Sequence, residues 1–295
     1  RGDLPMFKGS CVALVTPMKG QNEVDESALK DLVEWHIQQG THAIVVAGTT
    51  GESATLTPEE QYRVTSLVYQ VARKRIPIIA GTGSNSTATT INHTQAAEEI
   101  GVDACLIVTP YYNRPTQYGL VQHYSAVAKA TKMPILLYNV PTRTACDMQP
   151  ETVATLSNIP NIVGIKEATG NLQRLTALIE KCKPGFTFYS GDDPTALEFM
   201  RLGGHGVISI TSNVAPNLMQ QMCHFAVTKE FDKAKVLDDK LQPLHRMLIV
   251  EPNPIPVKWA LYQTGKIANE IRLPLTELSI EHHDKMKQAL QIAGL

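Results

Sequence analysis

The residues best placed to do chemistry sit at the ends of short apolar runs, and one of them is a lysine. In the stretch from Asn161 to Gly170, Ile162, Val163 and Ile165 favour an extended strand, Pro160 and Asn161 punctuate its start, and Gly170 marks its exit. Lys166 takes the last inward position of that strand. Burying an ammonium is costly, and the escape is to release its proton: burial lowers a lysine pKa from about 10.4 by as much as several units. At about 10.4 roughly one lysine in two thousand is a free amine at pH 7, whereas at about 7 half of them are. A free amine adds to carbonyls and forms Schiff bases. A solvated lysine leaving a strand is the plainer account of this stretch alone, so the other strand ends decide.

One run ends in Gly48-Thr49-Thr50-Gly51-Glu52, another in Thr109-Pro110-Tyr111-Tyr112-Asn113-Arg114-Pro115, and a third in Tyr138-Asn139-Val140-Pro141-Thr142-Arg143-Thr144. Two more end in Ser190-Gly191-Asp192-Asp193 and in Ile208-Ser209. Hydroxyls, phenols and an arginine are the groups that pass protons and hold carboxylates. The adjacent Asp192 and Asp193 could be paired general acids, but their place before Pro194 favours capping of a loop. Metal-ligand spacing is missing: there is no HExxH, and the nine histidines are scattered.

The elements that must position these ends alternate from one end of the chain to the other. Apolar runs start at Cys11, Ala43, Pro77, Ala104, Pro134, Asn161, Phe186 and Gly206. Helical patterns follow them over about 27–39, from Thr57, over about 87–100 and 118–130, from Pro150, over about 172–181, after Pro194, and over about 217–227. Leu29, Leu32, Val33 and Ile37 give the first helix its spacing and Gly40 ends it, while Thr57-Pro58-Glu59-Glu60 opens the second with an N-cap, a proline and two acids. Strand then helix, eight times at roughly thirty-residue spacing, is the layout of a closed parallel (β/α)8 TIM barrel. An open doubly wound sheet would need a glycine fingerprint at the first helix, and Gly81-Thr82-Gly83 is too short for one. Residues 6–228 are expected to form the barrel. Residues 229–295 show no strand pattern and read as a C-terminal helical appendage, with helices over about 230–247, 257–262 and 280–293.

The 295 residues are 43% hydrophobic and 19% charged, ordinary for a globular protein of ample core. A net charge of −1 leaves no footprint for nucleic acid or an anionic membrane, and no apolar run reaches spanning length. The five cysteines, Cys11, Cys105, Cys146, Cys182 and Cys223, form no CxxC pair, which suggests a reducing cytoplasm and makes the sequons at Asn85 and Asn92 chance matches. Arg1 to Pro5 precede Met6, read as a cloning remnant, and are set aside.

In their order, GTTGE, TPYYNRP, YNVPTRT and GIKEATG resemble the dihydrodipicolinate synthase family of pyruvate-dependent class I aldolases, from Met6 to the C-terminus. The resemblance implies that Lys166 forms a Schiff base with pyruvate, that proton loss gives an enamine, and that the enamine attacks L-aspartate-β-semialdehyde. The product would be 4-hydroxy-tetrahydrodipicolinate, early in lysine and diaminopimelate biosynthesis, made without cofactor or metal. Tyr138, Thr49 and Tyr112 would form the proton relay, with Tyr112 reaching in from a neighbouring subunit of a homotetramer built of tight dimers. Thr50 would hold the pyruvate carboxylate, Gly191 and Ile208 would line the pocket with backbone groups, and Arg143 would receive the second substrate's carboxylate. Sialic-acid lyases resemble the chain around the lysine but usually lack that arginine, which favours a small amino-acid aldehyde. A metal-dependent aldolase or a non-catalytic barrel would leave the gathering of lysine, hydroxyls and arginine unexplained. Ser53, Ala54, Asn85 and Tyr111 match the family's pocket for feedback inhibition by lysine. Pro58, Gln61 and Thr89 replace two histidines and a glutamate there, so lysine inhibition is expected to be weak or absent.

Overall fold

A computed structural model describes residues 6–295; Arg1 to Pro5, the segment set aside above, lie outside it. Eight parallel strands close into a barrel. They are β1 (Gly9–Ala13), β4 (Ala43–Val46), β5 (Ile78–Gly81), β6 (Ala104–Val108), β7 (Ile135–Asn139), β8 (Ile162–Glu167), β9 (Thr187–Ser190) and β10 (Gly206–Ser209), with β1 pairing to both β10 and β4. The outer helices are α1 (Glu26–Gln39), α2 (Pro58–Ala72), α3 (Thr87–Ile100), α4 (Gln117–Lys129), α6 (Pro150–Ser157), α7 (Leu172–Lys181), α8 (Ala196–Arg201) and α9 (Pro216–Val227). Beyond them come α10 (Phe231–Met247), α11 (Ile255–Gln263) and α12 (His283–Ile292).

The helices start where local chemistry supplies acceptors for their free N–H groups. Thr57 and Glu60 form a reciprocal capping box at α2, and Asp25, Ser86, Thr116 and Asn171 each accept from a first-turn amide. Gly40 closes α1 in the left-handed region at φ 88°. Two features have no counterpart in the apolar pattern. A short antiparallel pair, β2 (Met18–Lys19) with β3 (Glu23–Val24), decorates the first strand–helix connection. A single-turn helix, α5 (Pro141–Thr144), carries Arg143 just beyond β7.

The strands separate two apolar layers. Cys11, Ala13, Val45, Ile79, Leu106, Leu136 and Tyr138 fill the barrel, whereas Val12, Ile44, Ile107, Ile135, Leu137 and Ile165 pack outward on the helices. Leu241, Leu244, Trp259, Leu261 and Leu290 from α10 to α12 belong to the same outer cluster.

Strand β8 breaks the alternation once. Ile135 pairs with Ile162 but Leu136 pairs with Gly164, leaving Val163 as an extra residue, a β-bulge. Ile162 and Ile165, three apart, therefore both face outward. Without the extra residue Lys166 would follow Ile162 to the helix side; with it, Lys166 stands opposite Tyr138 on the inside.

Candidate active site

The carboxyl ends of the strands open into a cavity of about 430 Å³ lined by Thr49, Thr50, Tyr138, Arg143, Lys166, Gly191 and Ile208. All seven were singled out from the sequence, and they come from the ends of β4, β7, β8, β9 and β10 and from α5. Lys166 is 7% exposed, and its Nζ lies 4.0 Å from the centroid of the Tyr138 ring. Register places the two residues directly across the β7–β8 ladder, so the phenol and the amine share one height in the barrel. Cys11 is buried in the same inner layer, and burial pushes its thiol up and keeps it protonated.

Gly191 could carry no side chain: a Cβ there would lie 2.6 Å from Ala168 Cβ and 3.0 Å from Lys166 Cε. Its bare backbone can therefore face a ligand on the amine, while its N–H donates to the Glu167 carbonyl at 2.8 Å. Thr50 is buried, and its Oγ1 accepts a hydrogen bond from Asn253 Nδ2 at 2.9 Å. With its oxygen already accepting, that hydroxyl is left to donate its proton, the polarity a carboxylate needs. The Arg143 guanidinium donates to the Asn253 carbonyl at 3.1 Å, which holds its fork over the mouth.

Asn253 is the residue that sequence reasoning missed. It lies between Pro252 and Pro254 in what reads as a helix connection, and nothing in its spacing signals chemistry. Folding brings it between Thr50 and Arg143, and its amide oxygen is buried with no partner among the described residues. Asp193 behaves as a cap. It accepts from Ser209 Oγ and from the Ile210 and Thr211 amides at 2.9 and 3.2 Å, fixing the end of β10 where Ile208 and Ile210 line the pocket. Asp192 accepts from Thr195 Oγ1 at 2.6 Å in the turn before α8.

The remaining residues lie around this centre. Tyr112 is not in the cavity: it projects at 88% exposure from a loop where its φ is 74°. Ser53, Ala54 and Tyr111 line an adjoining lobe of about 440 Å³, together with Pro58 and Gln61. Asn85 donates to the Tyr111 carbonyl at 3.1 Å, and the Gln61 amide is spent on the Gly81 carbonyl at 2.8 Å. Glu251, Glu281 and His282 at the rim could approach one metal ion, but both Glu251 oxygens accept from Ser279.

Within β8, the residue after Lys166 faces the opposite layer. Glu167 is 3% exposed and accepts from Thr169 N at 3.2 Å and from Asn139 Nδ2 at 3.3 Å. Asn139 also donates to Asp147, which Arg174 grips with two hydrogen bonds of 2.9 Å. Burial pushes the Glu167 carboxyl up to about 7, opposed by the Arg174 charge and by those hydrogen bonds.

The sequence pattern of the dihydrodipicolinate synthetase family matches residues 6–293. The chain belongs to that family. It is 53% identical over 290 residues to the 4-hydroxy-tetrahydrodipicolinate synthase of Cellvibrio japonicus, covering 98% of this chain and 100% of that one. To the synthase of Methylococcus capsulatus it is 54% identical at the same coverage. Among solved structures it is similar to a chloride-inhibited dihydrodipicolinate synthase from Acinetobacter baumannii complexed with pyruvate. That likeness has a TM-score of 0.96 at 52% identity, over 97% of this chain and 99% of that one.

Proposed function

We propose that Lys166 is the amine through which this member of the family works, with Tyr138 and Thr49 moving protons beside it. The reaction is the condensation of pyruvate with L-aspartate-β-semialdehyde to 4-hydroxy-tetrahydrodipicolinate, in lysine and diaminopimelate biosynthesis. It runs on a covalent imine and needs no cofactor. The amine adds to the keto carbon, water leaves, and the protonated imine draws electrons from the neighbouring methyl group. Loss of a methyl proton gives the enamine, whose carbon bonds to the aldehyde carbon while the aldehyde oxygen takes up a proton. The second substrate's own amine then attacks the imine carbon, closes the ring and releases Lys166. A phenol of ordinary acidity is a poor acid alone, but a hydrogen-bonded chain passes protons without full ionisation.

Thr50 holds the pyruvate carboxylate, the Gly191 and Ile208 backbones line the same pocket, and Arg143 takes the carboxylate of the semialdehyde as a planar fork. Tyr112 enters the relay of a neighbouring copy in a homotetramer of tight dimers; its exposure and its position at a loop tip support that role. The cytoplasm is the inferred compartment. No helix among the described residues is long and apolar enough to cross a membrane, and the five cysteines are buried and unpaired.

One observation carries this reading: seven residues from distant strand ends line one cavity around a buried amine. Borohydride reduction in the presence of pyruvate, followed by mass mapping, tests it. The adduct is expected on Lys166 and absent in Lys166→Ala; an adduct that survives the substitution would overturn the assignment. Arg143→Ala should leave the pyruvate adduct intact and impair semialdehyde use by about a hundredfold, the cost of a lost charge-assisted pair. Lysine at millimolar concentration should inhibit weakly or not at all, because Thr89 replaces the family's glutamate and the acid that lines the lobe, Glu52, has both oxygens engaged by Lys258 and the Arg272 amide; sub-millimolar inhibition would sink that expectation.

A further inference from the structure

The turn that carries Thr49 and Thr50 is held from a part of the chain more than two hundred residues away. It ends in Glu52, which adopts the left-handed region at φ 60° without being a glycine and is 4% exposed. A non-glycine residue keeps that conformation only where its surroundings over-determine it. Here both carboxylate oxygens are occupied from the C-terminal region. The Lys258 amine of α11, itself 4% exposed, donates to Oε2, and the Arg272 backbone N–H donates to Oε1 at 3.0 Å. Lys258 donates also to the Thr16 carbonyl at 2.9 Å, and the Thr16 hydroxyl donates to the Gly51 carbonyl at 2.7 Å. The Arg272 side chain closes the frame on Glu60 and on the Thr55 and Asn22 carbonyls. Every residue from Thr50 to Glu52 is thus tied, directly or through Thr16, to α11 or to the segments flanking it.

A buried ion pair is a poor device for stability alone, since apolar side chains of equal volume often do as well. What it supplies is direction: two charges out of water accept only a narrow range of placements. We propose that Glu52 and Lys258 are positioning residues for the pyruvate carboxylate, setting the Thr49–Gly51 turn at the height where Thr50 meets that group. Neither residue touches substrate. The inference rests on the assignment of Lys166 and Thr50 given above and adds a cause for their alignment.

The experiment uses the full-length double variant Glu52→Gln/Lys258→Met, which leaves no lone buried charge. Borohydride trapping is measured against pyruvate concentration, alongside steady-state kinetics and the thermal midpoint. Trapping should reach full amplitude on Lys166, while half-saturating pyruvate rises about tenfold and kcat and the KM for the semialdehyde each change less than about threefold. Lys258→Arg, which keeps the charge, should stay within about threefold of the parent in half-saturating pyruvate. If the double variant fails to fold, Glu52→Asp is read instead; it draws the turn back by one methylene and should give the same rise at full amplitude. A shifted thermal midpoint with pyruvate dependence unchanged would overturn the proposal, and so would kcat and both KM values worsening together. Absence of any adduct in the parent protein would instead strike at the assignment of Lys166.

Discussion

Lys166 and Glu167 are neighbours in sequence and opposites in environment, and the difference is one of facing. Lys166 looks into the cavity; Glu167 looks into the layer between strands and helices, where Asn139 and the Thr169 amide are its hydrogen-bond partners. Its carboxyl is pushed up to about 7 by burial. A carboxyl raised above its unfolded value keeps its proton longer in the folded chain, so stability falls as pH climbs from the ordinary glutamate range through about 7, then levels off. Glu167→Gln, neutral at every pH, should therefore stabilise the protein at pH 8.5 by on the order of 3 kcal/mol and change little at pH 4. Unfolding midpoints of parent and variant at the two pH values check this, and an equal shift at both would show that the carboxyl at position 167 is no weaker an acid in the folded chain than in the unfolded one. At this scale the sequence pointed to Lys166, Thr49, Thr50, Tyr138 and Arg143 as residues of one cavity, because polar residues closing apolar runs are visible as a string. Asn253 was invisible because its role arises from where the chain returns.

Among the elements, the helices follow their local signals closely, since caps, prolines and acids at their starts act within a few residues. Strand ends are set by pairing with neighbours, and every run read from composition is longer than the strand it forms. The run that ends in Tyr138 to Thr144, for instance, continues past β7, whose ladder stops at Asn139. The bulge at Val163 is the case where parity mattered most. A count by twos from Ile162 sends Lys166 outward, and Gly164 was the available warning, since a glycine inside a strand often marks such an irregularity. A Cβ at Gly164 would lie 2.1 Å from Thr187 Oγ1 and 2.8 Å from the Thr187 carbonyl, so the position is crowded by the neighbouring strand. The hairpin of β2 and β3 is too short to show an alternation: it has two residues on each side, with Met18 and Val24 its apolar members.

The whole molecule is a closed barrel whose mouth is completed from outside. A (β/α)8 layout was legible because eight repeats of one pattern leave few alternatives. How residues 229–295 take part was not, because hydrophobic periodicity says that a helix packs and not what its ends hold. Tyr112 belongs to a larger scale still. In the proposed tetramer each copy lends a phenol and receives one, so Lys166→Ala and Tyr112→Phe should complement each other when mixed and allowed to exchange subunits. Each mixed dimer would then contain one intact site, and a random mixture should regain about a quarter of parental activity. No recovery after demonstrated exchange would mean that Tyr112 acts within its own chain or not at all.

Asn253, Lys258 and Arg272 lie in the last fifth of the chain, yet Thr50 and Glu52 depend on them for partners. During synthesis the lysine, the phenol and all eight strands leave the ribosome before those partners do. A nascent barrel would thus hold Lys166 with its carboxylate seat still unset, until Asn253, Lys258 and Arg272 have emerged.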